Sequence, residues 1–164
     1  LATQIPRLRR YARALTRNVQ TADDLVQDCL ERAWRKAHHW EPGTDLRAWL
    51  FTLMHNIHIN GLRRKRPETE PMEHSEYEDP RAPAPDAGLN LRDLEQGLAR
   101  LSPEHREVLL LVCLEEMSYE QVAAVIGIPI GTVMSRLHRA REQIRLYMAG
   151  ERQPKARPNL MRVK

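Results

Sequence analysis

The sequence predicts an all-α chain built as two small helical domains joined by an acidic, proline-rich linker. Three observations predict it. Apolar residues recur at helical spacing over most of the chain, and no run alternates as a strand does. Residues 67–89 hold five prolines and seven acids without an apolar period, which reads as a flexible tether. Residues 118–145 carry the pattern of two short helices about a tight glycine-containing turn. The resulting division is a three-helix domain over 1–66, the linker over 67–89, a four-helix domain over 90–150 and a basic tail over 151–164.

The first helix is marked by Ile5, Leu8, Ala12 and Leu15, with Arg7, Arg9, Arg10 and Arg13 around it. Thr21 and Asp24 resemble a capping box, so the second helix is expected from Thr21 to Ala37. Its broad apolar face is Leu25, Val26, Cys29, Leu30, Ala33, Trp34 and Ala37. The opposite face carries Asp24, Gln27, Asp28, Glu31 and Arg35. Glu41 to Asp45 is a turn in which Thr44 or Asp45 can cap the third helix. That helix is expected to bury Leu46, Trp49, Leu50, Leu53, Met54 and Ile57, and must stop before Pro67. Asn60-Gly61 is locally a turn signal, but the apolar period continues through it to Leu62, so the helix is expected to continue too.

Beyond the linker, Leu91, Leu94, Leu98 and Leu101 recur at helical spacing. Ser102-Pro103-Glu104 joins a cap, a proline at the first helical position and an acid near the positive dipole end. Val108 to Leu114 is the apolar core of the helix that follows. Ser118 and Gln121 form a capping box, and Val122, Ala123, Val125 and Ile126 are the apolar face of a short helix. Gly127 suits the left-handed position that ends it. After Ile128-Pro129-Ile130-Gly131, the stripe Val133, Leu137, Ala140 and Ile144 marks a second helix. Thr132, Ser135, His138 and Arg139 lie opposite, with Arg136 on the flank. This is a helix-turn-helix whose outer face is polar and basic, suited to phosphates and major-groove base edges.

The chain has 164 residues, 41% of them hydrophobic and 29% charged, which fits soluble globular domains rather than disorder. A net charge of +4 is compatible with a polyanionic partner. Cys29 and Cys113 are expected to be buried free thiols of a reducing, cytoplasmic protein. No apolar run reaches membrane-spanning length and no signal-peptide pattern opens the chain, so no membrane insertion is expected. The seven histidines do not combine with acids or cysteines at metal-ligand spacing. There is no phosphate-binding glycine loop, and nothing marks a nucleophile. No catalysis, no metal and no cofactor are expected.

Five blocks in order carry a resemblance. They are LRRYARALTRN at 8–18, ADDLVQDCLERAW at 22–34, LRAWLFTLMHNIHINGLRRKR at 46–66, LSPEHREVLLL at 101–111 and the helix-turn-helix. With their spacing and the acidic linker, the chain resembles the bacterial extracytoplasmic-function (ECF) sigma factors of RNA polymerase, members of the sigma-70 family. The resemblance implies two DNA-binding domains, regions two and four. It implies a promoter-specificity subunit whose partners are core RNA polymerase, through its clamp coiled coil and flap, promoter DNA and an anti-sigma factor. Stress- or signal-responsive control would run through that factor.

It also assigns roles to residues. The outward Asp24, Gln27, Asp28 and Glu31 look like the surface that docks on the clamp coiled coil. The helix from Leu46 to Arg66 looks like the segment that opens and reads the minus-ten element. Thr52, Asn56, Ile59 and Arg63 share one stripe there, His55 and Asn60 flank it, and Arg63, Arg64, Lys65 and Arg66 can hold phosphates. The loop from Trp40 to Leu46 stands where the family places its pocket for an unpaired base. Many members carry Arg at the position of His55 and Asp at that of Asn60, so promoter preference is expected to differ there. Thr132, Ser135, Arg136, His138 and Arg139 look like readers of the minus-thirty-five element, and Met134 stands where members often have Lys. Two other functions fit the helix-turn-helix: a stand-alone DNA-binding regulator, and a sigma-like decoy that titrates an anti-sigma protein. The first leaves the acidic face and linker without a role. The second should have lost Arg63, Arg64, Arg136 and Arg139.

Overall fold

The structure, a computed structural model, describes residues 1–65 and 89–149. They form seven α-helices and two short 3-10 turns, with no strand among the described residues. The linker, apart from Leu89, together with Arg66 and the tail, lies outside them.

Helix α1 (Ile5–Thr16) has Pro6 in its first turn and ends at Arg17, whose backbone is left-handed at φ 56°. The chain then turns into α2 (Val19–Arg35) with Asn18 as N-cap, its side chain accepting from the Thr21 amide at 2.9 Å. The helix thus starts two residues before Thr21. Asn18 is itself a preferred cap, and it satisfies the amide that the expected Thr21–Asp24 box would have left to solvent. A 3-10 turn over Ala37–His39 replaces the expected last helical turn. Helix α3 (Leu46–Lys65) is capped by Asp45, whose Oδ1 accepts from the Ala48 amide at 3.1 Å, and runs unbroken through Asn60-Gly61. These three helices enclose Leu8, Tyr11, Leu15, Leu25, Val26, Cys29, Leu50, Phe51 and Met54. Tyr11 and Phe51 meet edge-to-face with ring centroids 5.0 Å apart.

The second half comprises α4 (Leu89–Arg100), α5 (Pro103–Cys113), α6 (Tyr119–Ile126) and α7 (Ile130–Met148). Leu89, assigned to the linker from sequence, is already helical. Ser102 caps α5 through the His105 amide, and the Ser118–Gln121 capping box on α6 is complete in both directions. Gly127 ends α6 at φ 77° and donates to Ala123 O at 2.8 Å. Val108, Leu111, Met117, Val122, Val125, Val133, Leu137 and Ala140 make this core.

Three burial expectations are corrected. Trp34 is 79% exposed, because no neighbouring helix reaches that side of the last turn of α2. Leu94 is 41% exposed, because α4 turns Gly97 toward Ile144 and Tyr147 of α7. Cys113, at the end of α5, is exposed, whereas Cys29 is buried.

The two halves are packed together. α1 lies against α5, and α3 against α6. The Arg106 guanidinium sits at the junction and donates to Leu98 O, Ala99 O and Leu101 O of its own half and to Leu15 O of the other, at 2.8 to 3.2 Å. Burial brings its pKa down to about 10. The carbonyl shell matches a guanidinium's fixed fork of donors.

Candidate nucleic-acid interface

On α7, the buried stripe of Val133, Leu137 and Ala140 turns the opposite face to solvent. Ser135, His138 and Arg139 are exposed there, and Thr132 and Arg136 half-buried. The Ser135 hydroxyl donates to Thr132 O at 3.1 Å. Neither Arg136 nor Arg139 is ion-paired among the described residues. A guanidinium on a helix, without a competing carboxylate, keeps its donors for a guanine edge or a phosphate. Met134 and Ile130 are exposed on the same helix, at 52% and 41%, and add apolar surface beside these polar groups.

On α3, Asn56, Asn60, Arg63, Arg64 and Lys65 are exposed along the C-terminal half of the helix. The asparagines carry both donors and acceptors for base edges, and the basic end can follow a backbone. Thr52 is half-buried, and its hydroxyl donates to Ala48 O at 2.9 Å. Arg66 lies outside the described residues. His55 is set apart from this row. Its ring is 12% exposed, and Nδ1 stands 2.6 Å from Oε1 of Glu107 on α5. The structure therefore turns His55 toward the second half of the chain rather than toward solvent. One turn on, burial holds the His58 imidazole below its ordinary pKa, with Glu107 acting against that shift.

The loop before α3 is shaped by Gly43 at φ 96° and by the Thr44 hydroxyl, which donates to Glu41 O at 2.7 Å. Trp40 is half-buried at its start. Asp45 ends the loop and uses both carboxylate oxygens: one accepts from Ala48 N, the other from Gln121 Nε2 of α6 at 3.0 Å.

On α2, Asp24, Gln27, Asp28 and Glu31 all face solvent, as their spacing requires. Gln20 donates to Asp24, and Gln27 and Arg35 donate to Glu31, so the face is braced at i,i+4 steps. Sequence reasoning missed one member of this surface. Trp34 follows Gln27 and Glu31 along the same side and stands out as an indole beside acids. The available signal was Trp34's place seven residues after Gln27, which is also the spacing of the polar stripe.

Residues 1–55 match the family described as the Sigma2 domain of PhyR, and residues 91–144 match sigma-70 region 4. The chain is 37% identical over 149 residues to the ECF RNA polymerase sigma factor EcfG of Rhodopseudomonas palustris, covering 89% of this chain and 82% of that protein. It is 35% identical over 150 residues to the ECF RNA polymerase sigma factor SigE of Mycolicibacterium smegmatis, covering 87% of this chain and 58% of that longer protein. Among solved structures it is similar to the sigma factor RpoE of Bartonella quintana in complex with the anti-sigma factor NepR. There the TM-score is 0.73 and the identity 32%, over 93% of this chain and 96% of the other.

Proposed function

Because the chain belongs to the ECF RNA polymerase sigma factors of the sigma-70 family, we propose that it is a promoter-specificity subunit. It docks on core RNA polymerase and directs initiation at one class of promoter. One observation carries this reading: two separate exposed helical faces with nucleic-acid chemistry, on α3 and α7, share a chain with a third, acidic face on α2. A stand-alone regulator needs only the α7 face, and a decoy needs neither basic face.

In this reading α7 presents Thr132, Ser135, Arg136, His138 and Arg139 to the major groove of the minus-thirty-five element. α3 presents Asn56, Asn60 and the basic run from Arg63 to the minus-ten element, with Thr52 at its edge and His55 turned away toward Glu107. An unpaired base costs a few kcal/mol to take from the stack, so a protein site must hold it. In this reading the loop from Trp40 to Leu46 holds it. Asp24, Gln27, Asp28, Glu31 and Trp34 form the polymerase-docking surface. RNA synthesis belongs to the polymerase, and this chain supplies recognition. Control by an anti-sigma factor is proposed from the likeness to the sigma factor solved with NepR. No helix among the described residues is long and apolar enough to cross a membrane, and a cytoplasmic location follows from the proposed role.

Run-off transcription tests the reading. Core enzyme plus this chain should produce a defined transcript from a promoter selected from a random library, and core enzyme alone should not. Stable, sequence-specific duplex binding with no effect on core enzyme would establish the stand-alone regulator instead.

A further inference from the structure

Met134 is the most exposed large apolar side chain of the helix-turn-helix, at 52%. Its apolar neighbours behave otherwise. Ile126, Ile128 and Ile144 are half-buried against the core, and Val133 and Leu137 are buried within it. Met134 follows Val133 by one position, which turns it about 100° from the buried stripe and onto the edge of the polar face. Ile130 stands one turn before it, His138 one turn after it and Gly131 three residues before, so all three share its side of the helix. Gly131 has open space where a Cβ would stand. No side chain at that position screens the methionine from what approaches this face.

A single exposed apolar residue is ordinary. Met134 is set apart by its position and its company. A recognition helix meets base edges with its N-terminal residues. Residues 130–138 span about 14 Å at 1.5 Å each, roughly four base-pair steps, and Met134 is the middle one. Arg136 and Arg139, without an ion pair among the described residues, supply the charge that attracts a duplex. Ser135 and His138 can hydrogen-bond, whereas a thioether is only a weak acceptor. The major groove presents one apolar group to such a side chain, the C5 methyl of thymine.

We propose that Met134 is a specificity-determining residue, which selects thymine in the upstream promoter element by packing on its C5 methyl. The inference deepens the promoter-specificity reading above and rests on it. Contact removes both apolar groups from water, and the flexible thioether chain can follow the methyl as the helix seats. Cytosine at the same place has no methyl and presents its N4 donor, which Met134 would cover without a hydrogen bond. Ile130, also exposed, lengthens the apolar strip by one turn.

Replacing thymine by uracil tests this, because it removes the methyl and leaves every hydrogen-bonding edge in place. A promoter selected from a random library by core enzyme with the full chain should carry thymine in its upstream element. Uracil at one such position should weaken wild-type binding about fourfold, the effect of one buried methyl. With Met134→Ala, the same replacement should change binding by no more than the error of the titration. Met134→Leu keeps an apolar group of similar volume and should retain most of the discrimination. Salt dependence should be equal for all three proteins, since no phosphate contact is altered. Circular dichroism should show unchanged helix content, because the site is exposed and both replacements are good helix formers. An upstream element without thymine, uracil tolerated at every thymine, or a uracil penalty that survives Met134→Ala overturns the assignment. If core enzyme with the wild type selects no promoter, the promoter-specificity reading has failed. The same uracil series on duplexes selected by the chain alone then decides Met134 separately, and selection by neither overturns both.

Discussion

Removing the Trp34 indole should weaken polymerase docking far more than it weakens the fold. At 79% exposure, a tryptophan leaves about 200 Å² in water. At about 25 cal/mol per Å², covering all of it contributes at most about 5 kcal/mol. Association returns part of that as lost freedom and imperfect desolvation, and truncated interface tryptophans commonly cost about 2–4 kcal/mol. Trp34→Ala should therefore raise the Kd for core enzyme by roughly 30- to 150-fold, or about 2–3 kcal/mol. The fold should lose under about 1 kcal/mol, because little of the ring is covered and alanine is the better helix former. Fluorescence anisotropy of labelled chain against core enzyme gives the Kd, and a thermal melt gives the control. An unchanged Kd would remove Trp34 from the docking surface. A loss matched by a large drop in Tm would mean the ring supports α2 instead. Asp24→Arg with Asp28→Arg should weaken the same binding, so its failure alongside that of Trp34→Ala would refute the whole α2 surface.

Three further outcomes are expected. Asn56→Ala should slow promoter opening by about fivefold, one lost hydrogen bond of about 1 kcal/mol, while leaving closed-complex formation nearly intact; permanganate footprinting on duplex and pre-melted templates separates the two, and equal losses on both would contradict the assignment. With Ellman's reagent, the native chain should yield one fast thiol, Cys113, and two after denaturation, since burial pushes Cys29 up to about 12 and its Sγ lies against Leu50 O; two fast thiols in the native chain would show that the first core opens readily. His58 titrates below its ordinary 6.5 when folded, so the unfolded chain binds the proton first. Its contribution is complete above about pH 6.5 and is lost as pH falls from there through the lower folded value. Urea midpoints across this window should decline with acid in the wild type and decline less in His58→Gln; parallel declines would assign the effect to other groups.

Much of this molecule follows from local chemistry. Ser118 with Gln121, Ser102 before Pro103, Asp45 before α3 and Gly127 after α6 place helix ends that the structure reproduces, because caps answer backbone groups only three or four residues away. The α7 stripe of Val133, Leu137 and Ala140 likewise settles which face is buried, and so which residues are left exposed. The face of α2 was harder. Trp34 continues the apolar stripe, but burial needs a neighbour, and none packs over that turn. Phe51 is the opposite case: it stands beside the apolar stripe, yet Tyr11 of α1 meets it edge-on. What no local pattern encodes is the contact between the halves. His55 and Glu107 are 52 residues apart, and Arg10 and Glu115 are 105. Periodicity identifies a polar residue as outward from its own helix. Only the packing of a second body decides whether outward means water, DNA or a buried carboxylate.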